Sequence, residues 1–364
     1  MLDTGFSSHY QGGNVLPNLE RIGWDVSSQI DDASIARVIS VQKNSYRITD
    51  GKLAFTAHLS GRFLNQAEAT QDYPAVGDWV EVVKLEDEGK AVIQRVLPRK
   101  SQFIRQAAGG RTEAQVLAAN MDSVLIVNSC NHDLNVRRLE RYLIAAYESG
   151  ATPMIVLTKI DACPQEERNS IIQQVEAVAM GVPIIAISSV TGEGLQELLT
   201  FLPAKKTAVL LGSSGVGKST LVNTLLDKEI QATKTIREDD SKGRHTTTHR
   251  EMFFLPNDAM LIDTPGIREL QLWENTSAIE TTFEDVEAYG NACKFKDCKH
   301  ESEPGCRIRQ ALESGELSEA RYQSYQKLQK ELAYEKRKQD QKARLEEKNR
   351  WKQISKFQKK LRKH

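Results

Sequence analysis

Gly212-Ser213-Ser214-Gly215-Val216-Gly217-Lys218-Ser219 lies between the apolar run TAVLL and the helix-forming run STLVNTLL. A loop of the form G-x-x-x-x-G-K-[ST] works only where a strand delivers it and a helix leaves it, because its backbone N–H groups must converge on phosphate oxygens at the positive end of that helix. The glycines let the backbone curl, Lys218 reaches the β and γ phosphates, and the Ser219 hydroxyl is offered to Mg²⁺. Thr220 follows in the first helical turn. Since such loops sit at the carboxyl ends of strands, the chain must build an α/β sheet around this point.

The surrounding sequence supplies that sheet. From about residue 121, short apolar runs (DSVLIVNS, TPMIVLT, VPIIAIS, TAVLLG) alternate with stretches that read as helices near 137–149, 165–179 and 194–201. This is the pattern of a mostly parallel sheet covered on both faces.

Asp263-Thr264-Pro265-Gly266 ends the apolar run AMLI, 51 residues beyond Gly212. An Asp at that strand end can hold the metal shell from its second side, while the Gly266 N–H can reach the γ phosphate. Between the two motifs runs the long polar segment 229–250, whose Thr246, Thr247 and Thr248 offer hydroxyls to the Mg²⁺ shell, with Thr247 favoured. Thr158-Lys159-Ile160-Asp161 follows the run MIVL, and the Asp161 carboxylate can accept from N1–H and the exocyclic amine of guanine, which adenine does not offer. Thirty residues on, Ser188-Ser189 leads into VTGEGL, where backbone N–H groups can meet the guanine carbonyl. The order is unusual, because the base loop precedes the phosphate loop by 54 residues. The same sheet results when the termini of a G domain are joined and the chain is reopened elsewhere, so the expected fold is a circularly permuted G domain.

Two smaller pieces flank it. Residues 35–97 hold five β-rich runs, IARVISV, SYRIT, LAFTAHL, WVEVV and AVIQRV, separated by turn signals such as Thr49-Asp50-Gly51. Five strands of this length suit an OB barrel, and equally a five-stranded barrel or sandwich without a ligand. Beyond Arg268, Cys293, Cys298, His300 and Cys306 fall within fourteen residues. Three thiolates and an imidazole with no open position make a structural zinc site rather than a catalytic one. The other two of the five cysteines, Cys130 and Cys163, lie beside apolar runs and read as core residues.

Charge is segregated. The chain is neutral over 364 residues, yet residues 327–364 carry fifteen Lys and Arg against five Asp and Glu, a net +10 on a body of −10. Residues 316–364 contain neither Gly nor Pro and read as one or two long helices. Tyr322, Tyr325, Leu328 and Leu332 form a docking stripe, and Trp351, Ile354, Phe357 and Leu361 repeat it on a basic background suited to RNA, a membrane surface or a partner helix. No apolar run approaches the roughly 20 residues that span a bilayer, and the start carries no export signal, so a cytoplasmic, monomeric protein is expected.

Taken together, VGDWV, LPRKSQFIRQ, AANMDSVLIV, TKID, GSSGVGKST, GRHTTT, DTPG and the cysteine cluster resemble, in this order, the bacterial circularly permuted GTPases that assist maturation of the small (30S) ribosomal subunit, the ribosome small subunit-dependent GTPase A family. The resemblance spans roughly residues 35–325. It implies an OB barrel at 35–105, a permuted G domain at 106–275 and a mainly helical zinc domain at 276–325, while the residues on either side read as a leader at 1–34 and a basic helical tail at 326–364. It also implies GTP hydrolysis stimulated by the 30S subunit and its rRNA, with GTP and GDP as ligands, Mg²⁺ and one structural Zn²⁺. Two positions depart from common G-protein patterns. Thr158 stands where most GTPases carry Asn, and Ile267 stands where many carry a water-orienting Gln, which leaves His249 or His245 as the water-positioning group. The alternatives are a GTP-gated RNA-binding scaffold with incidental hydrolysis, and a P-loop ATPase or small-molecule kinase, which the guanine motif opposes.

Overall fold

The computed structural model describes residues 18–25, 32–42, 45–106, 114–130, 134–227, 250–264, 276–334 and 336–337. They fall in two compact units, one up to Gln271 and one from Leu272.

The first unit opens with a short helix α1 (Asn18–Arg21) that leads to Trp24. Leu19, Ile22 and Trp24 are buried in the main core, although the sequence shows no periodicity there. The five expected strands all form: β1 (Ile35–Val41), β2 (Tyr46–Thr49), β3 (Ala54–Leu59), β4 (Trp79–Leu85) and β5 (Lys90–Val96). They close in the order β1-β2-β3-β5-β4-β1, with β3 and β5 parallel and the other pairs antiparallel. This is the OB barrel rather than a sandwich. The β2–β3 turn follows from its residues: Asp50 Oδ1 accepts from the Lys52 and Leu53 N–H groups, and Gly51 takes φ +86°, which favours glycine. Helix α2 (Gly61–Gln66) starts where the Ser60 hydroxyl accepts from the Phe63 N–H. Ala36, Val38, Ile48, Phe55, Val80, Val82 and Ile93 fill the barrel.

A hairpin absent from the sequence reading follows. Strands β6 (Gln102–Gln106) and β7 (Ala114–Ala119) pair antiparallel in a separate two-stranded sheet that crosses the expected boundary at 105/106. The parallel sheet then runs β10-β9-β8-β11-β13, from β8 (Ser123–Ser129), β9 (Thr152–Thr158), β10 (Ile184–Ala186), β11 (Thr207–Leu211) and β13 (Met260–Asp263). Helices α3 (Val136–Glu148), α4 (Gln165–Glu176), α5 (Leu195–Thr200) and α6 (Lys218–Leu226) connect these strands, the first three at the expected places. Alternation divides β8 cleanly: Val124 and Ile126 join one core, and Leu125 and Val127 the other. Cys130 and Cys163 are buried together, as expected of core residues.

Strand β12 (Arg250–Phe254) also escapes the sequence reading. It runs antiparallel to β13 on one side and to β1 of the barrel on the other, the latter through Ser40 with Glu251 and Val41 with Arg250. Barrel and parallel sheet are thereby one continuous eleven-stranded sheet. Beneath the joint, the Arg37 guanidinium donates to the Ile22, Gly77 and Asn120 carbonyls and to the Thr207 hydroxyl, and stacks 5.0 Å from the Trp79 ring centre. It is 1% exposed, and burial lowers its pKa to about 10 against the opposing pull of Asp122 and Asp78, so it stays charged at neutral pH.

The second unit comprises α7 (Thr276–Thr282), α8 (Glu284–Asn291), α9 (Arg307–Ser314) and a helix over residues 319–334. Tyr322, Leu328 and Leu332 of the docking stripe are buried, and Arg321 sits 4.1 Å over the Phe283 ring while pairing with Asp285. Trp351, Ile354, Phe357 and Leu361 lie outside the described residues. No described helix is long and apolar enough to cross a membrane.

Candidate nucleotide site and metal cluster

Strands β8, β9, β10, β11 and β13 all point the same way, so the loops after them gather at one edge. The phosphate loop follows β11. Its Gly212 packs so closely on the neighbouring strand that any Cβ would lie 2.3 Å from the Val127 carbonyl oxygen. Gly217, at φ +98°, turns the chain into α6. Lys218 Nζ donates to the Gly212 and Ser213 carbonyls at 2.6 Å each, so the ammonium lies across its own loop. Ser214 and Gly215 are exposed, whereas Val216 is buried in the core beneath. Ser219 is half-buried and Thr220 exposed at the start of α6.

The base loop after β9 is tied to this loop directly. Thr158 Oγ1 donates to the Val216 carbonyl at 2.6 Å, and Lys159 Nζ donates to the Gly215 carbonyl at 2.8 Å. Two consecutive residues of one motif thus hold two consecutive residues of the other. Lys159 takes a left-handed φ of +61° to do so, and Ile160 is buried under the turn. Asp161 is exposed, with no hydrogen bond or ion pair to its carboxylate among the described residues, which leaves it open to a base. The Ser188 hydroxyl is spent on the loop itself, accepting from the Val190 and Thr191 N–H groups. Ser189 is half-buried beside it. Gly194 closes this loop against β10, where a Cβ would meet the Ala186 carbonyl oxygen at 2.1 Å.

Asp263 ends β13 beside Leu210 of β11 and is buried, while the Thr264 hydroxyl donates to the Leu210 carbonyl at 3.1 Å. The structure therefore brings the phosphate loop, Asp263, Thr158–Asp161 and Ser188–Ser189 to one edge. Thr247, His249, His245, Gly266 and Ile267 lie outside the described residues. Two neighbours escape the sequence reading. The Tyr142 hydroxyl, on α3, is 3.3 Å from Ser213 Oγ, and the Asn128 side-chain nitrogen, at the end of β8, is buried without a hydrogen-bond partner among the described residues. Neither belongs to a motif, and only the sheet order places them there.

In the second unit the ligand atoms of Cys293, Cys298, His300 and Cys306 all lie within 4.8 Å of one another. His300 Nδ1 is 3.6 Å from Cys293 Sγ and 3.4 Å from Cys306 Sγ. Burial opposes ionisation of Cys293, but the Arg307 and Ile308 N–H groups at the start of α9 outweigh it and hold the thiol below its ordinary value. Cys298 is pushed up to about 11, by burial first and by the neighbouring thiols. The turn is pinned by Glu303, whose carboxylate accepts from the Lys299, Glu301 and Ser302 N–H groups. Such a soft, convergent, four-donor set fits a tetrahedral metal ion.

Residues 96–273 match the family model described as RsgA GTPase. A second model, ABC transporter, matches residues 195–362; it shares the phosphate loop with the first and excludes the base loop at 158–161. Among curated proteins the chain is 46% identical to the small ribosomal subunit biogenesis GTPase RsgA 1 of Oceanobacillus iheyensis, over 90% of this chain and 93% of that one. It is 45% identical to RsgA 2 of Listeria monocytogenes, over 91% and 92%. Among solved structures it resembles YjeQ from Thermotoga maritima (26% identity, TM-score 0.60, covering 82% of this chain and 98% of that one). YloQ, described as a circularly permuted GTPase, matches in fold at 22% identity and TM-score 0.60, over 83% and 95% of the two chains.

Proposed function

The chain belongs to the RsgA GTPase family, and from that premise we propose that it hydrolyses GTP as an assembly factor of the small (30S) ribosomal subunit, slowly alone and faster on the subunit. The observation that carries the nucleotide part is the double tie of Thr158 to Val216 and Lys159 to Gly215, beside an open Asp161 carboxylate. It fixes a guanine-reading acid relative to a phosphate cradle, so that base identity and phosphate position are read by one rigid body.

In this reading Asp161 accepts from the guanine edge and the N–H groups of 212–220 surround the phosphates. Lys218 leaves the Gly212 and Ser213 carbonyls for the β and γ oxygens. Ser219, Asp263 and Thr247 would hold Mg²⁺, which when bound neutralises developing phosphate charge. Gly266 offers its N–H to the γ phosphate, and His249 or His245 orients the attacking water, because the Ile267 side chain has no polar atom with which to do so. Cys293, Cys298, His300 and Cys306 would hold one structural Zn²⁺. The barrel, the metal cluster and the basic tail supply the rRNA contacts, and the protein works as a cytoplasmic monomer.

The test is turnover of GTP and of ATP by the purified protein, each with and without purified small subunits. Slow GTP turnover raised many-fold by subunits is expected. Equal use of ATP, or no stimulation, would overturn the guanine or the ribosomal part respectively.

A further inference from the structure

Several buried or half-buried arginines of the first unit are neutralised. Arg99 meets Asp78, Arg168 meets Glu193 and Arg21 meets Asp258, while Arg37 is satisfied by carbonyls and the Thr207 hydroxyl. Arg105 and Arg250 are not. Arg105 stands on β6 directly opposite Gln115 of β7. Its Nε is fully buried without a hydrogen-bond partner, and no carboxylate lies within ion-pair distance of its guanidinium among the described residues. Arg250, the first residue of β12, reaches the same place from the sheet side, where its Nη2 lies 3.5 Å from Gln115 Oε1, its one side-chain hydrogen bond among the described residues. Burial first, and then the charge of Arg105, press its pKa down to about 10, so Arg250 stays ionised at neutral pH beside a second guanidinium.

Placing two guanidinium groups side by side without an acid costs free energy that the fold recovers only when an anion arrives. Two forks approaching from different strands match an oxyanion whose charge is spread over more than one oxygen, and both side chains are half-exposed, so the pair is reachable from solvent. Its position is informative as well. The residue after Arg250, Glu251, pairs with Asp263, so the arginines stand at the nucleotide edge of the sheet, two strands from the phosphate loop. At the usual strand spacing that is about 10 Å. Arg250 is engaged by the hairpin and not by the phosphate loop.

We propose that Arg105 and Arg250, with Gln115 between them, form a receptor for a phosphodiester group of RNA, seated between the β6–β7 hairpin and β12. The choice of RNA rests on the ribosomal reading above; the anion site itself rests on the two unneutralised guanidinium groups. Because Arg250 opens the strand that joins barrel to sheet, RNA bound here is held at the start of that joint.

The experiment uses the full chain saturated with a non-hydrolysable GTP analogue and a fluorescent single-stranded oligoribonucleotide, titrated by anisotropy over a salt series. Arg105→Gln and Arg250→Gln are each expected to weaken binding several-fold at low salt. The double variant should flatten the log–log salt dependence by about 0.7 to 1.4, one to two single-strand phosphate contacts. Arg105→Lys keeps the charge and should keep the slope while losing part of the affinity. Gln115→Glu places a carboxylate between the two forks, so it should raise the melting temperature and reduce RNA binding together, which keeps the test decisive if an arginine variant folds poorly. Wild-type affinity and slope in the double variant, or unchanged RNA binding in Gln115→Glu, would overturn the proposal. So would weaker binding of the GTP analogue with RNA binding intact, which would give the pair to the nucleotide. Co-sedimentation with small subunits separates the two readings: an arginine-dependent salt slope without subunit binding would sink the ribosomal partner and leave the anion receptor standing.

Discussion

Thr158 shows how one atom can stand in for a different side chain. Its hydroxyl donates to the Val216 carbonyl, and the Asn128 carbonyl lies 3.3 Å from the same oxygen. Thr158→Val keeps the shape and leaves the Val216 carbonyl without its donor, a loss of about 1–3 kcal/mol. GDP affinity, followed with a fluorescent analogue, should fall by roughly 5- to 150-fold on that basis, whereas Thr158→Ser should remain near wild type. In the sequence Thr158 is only a departure from the usual Asn, because a partner 58 residues away is invisible until β9 and β11 are placed on the same edge. By contrast Lys218, Asp161 and the four side chains of the Cys/His cluster are legible at once, since their chemistry demands fixed residue types at fixed spacing.

Among the elements, the β2–β3 turn carries a charge that reports on folding. Burial opposes ionisation of Asp50, but the Leu53 and Lys52 N–H groups and the Lys84 ammonium outweigh it and hold the carboxyl below its ordinary value. A depressed folded pKa contributes stability that is present above the unfolded value of about 4 and is lost as pH falls through the folded one. Urea unfolding of Asp50→Asn should therefore show a deficit at neutral pH that closes as the pH drops below about 4. The metal cluster offers a second check at this scale. Residues 293–306 contain little apolar surface, so a chelator should lower the melting temperature of the second unit and added Zn²⁺ should restore it, with released metal read by a colorimetric dye. The elements that escaped the sequence reading, β6, β7 and β12, are short and lack strong alternation. Their strand character comes from their partners rather than from local propensity.

At the scale of the whole molecule, Arg37 is the residue on which the first unit converges. Leader, barrel, the stretch after β7 and the start of β11 each give it an oxygen. Arg37→Met keeps most of the volume and abandons those acceptors, and a loss of about 3 kcal/mol or more in denaturant unfolding is expected. The domain order was legible because each piece has its own period and motif. The way the pieces join was not, since a lone Arg in a strand looks like any solvent-facing alternate.

The joint between β12 and β1 has one more effect. A parallel sheet normally ends in a row of unsatisfied backbone groups that can recruit a strand from another molecule. Here the barrel, which has no ends of its own, seals one side, and the opposite side is β10, three residues long. Apart from the flanks of the small hairpin and the last three residues of β12, which run past β1, the described residues leave little bare strand on which a second chain could template, so concentrated protein should stay monodisperse by light scattering. Substitutions that unzip Ser40 and Val41 from Glu251 and Arg250 should show themselves first as aggregation, ahead of any loss of GTP binding.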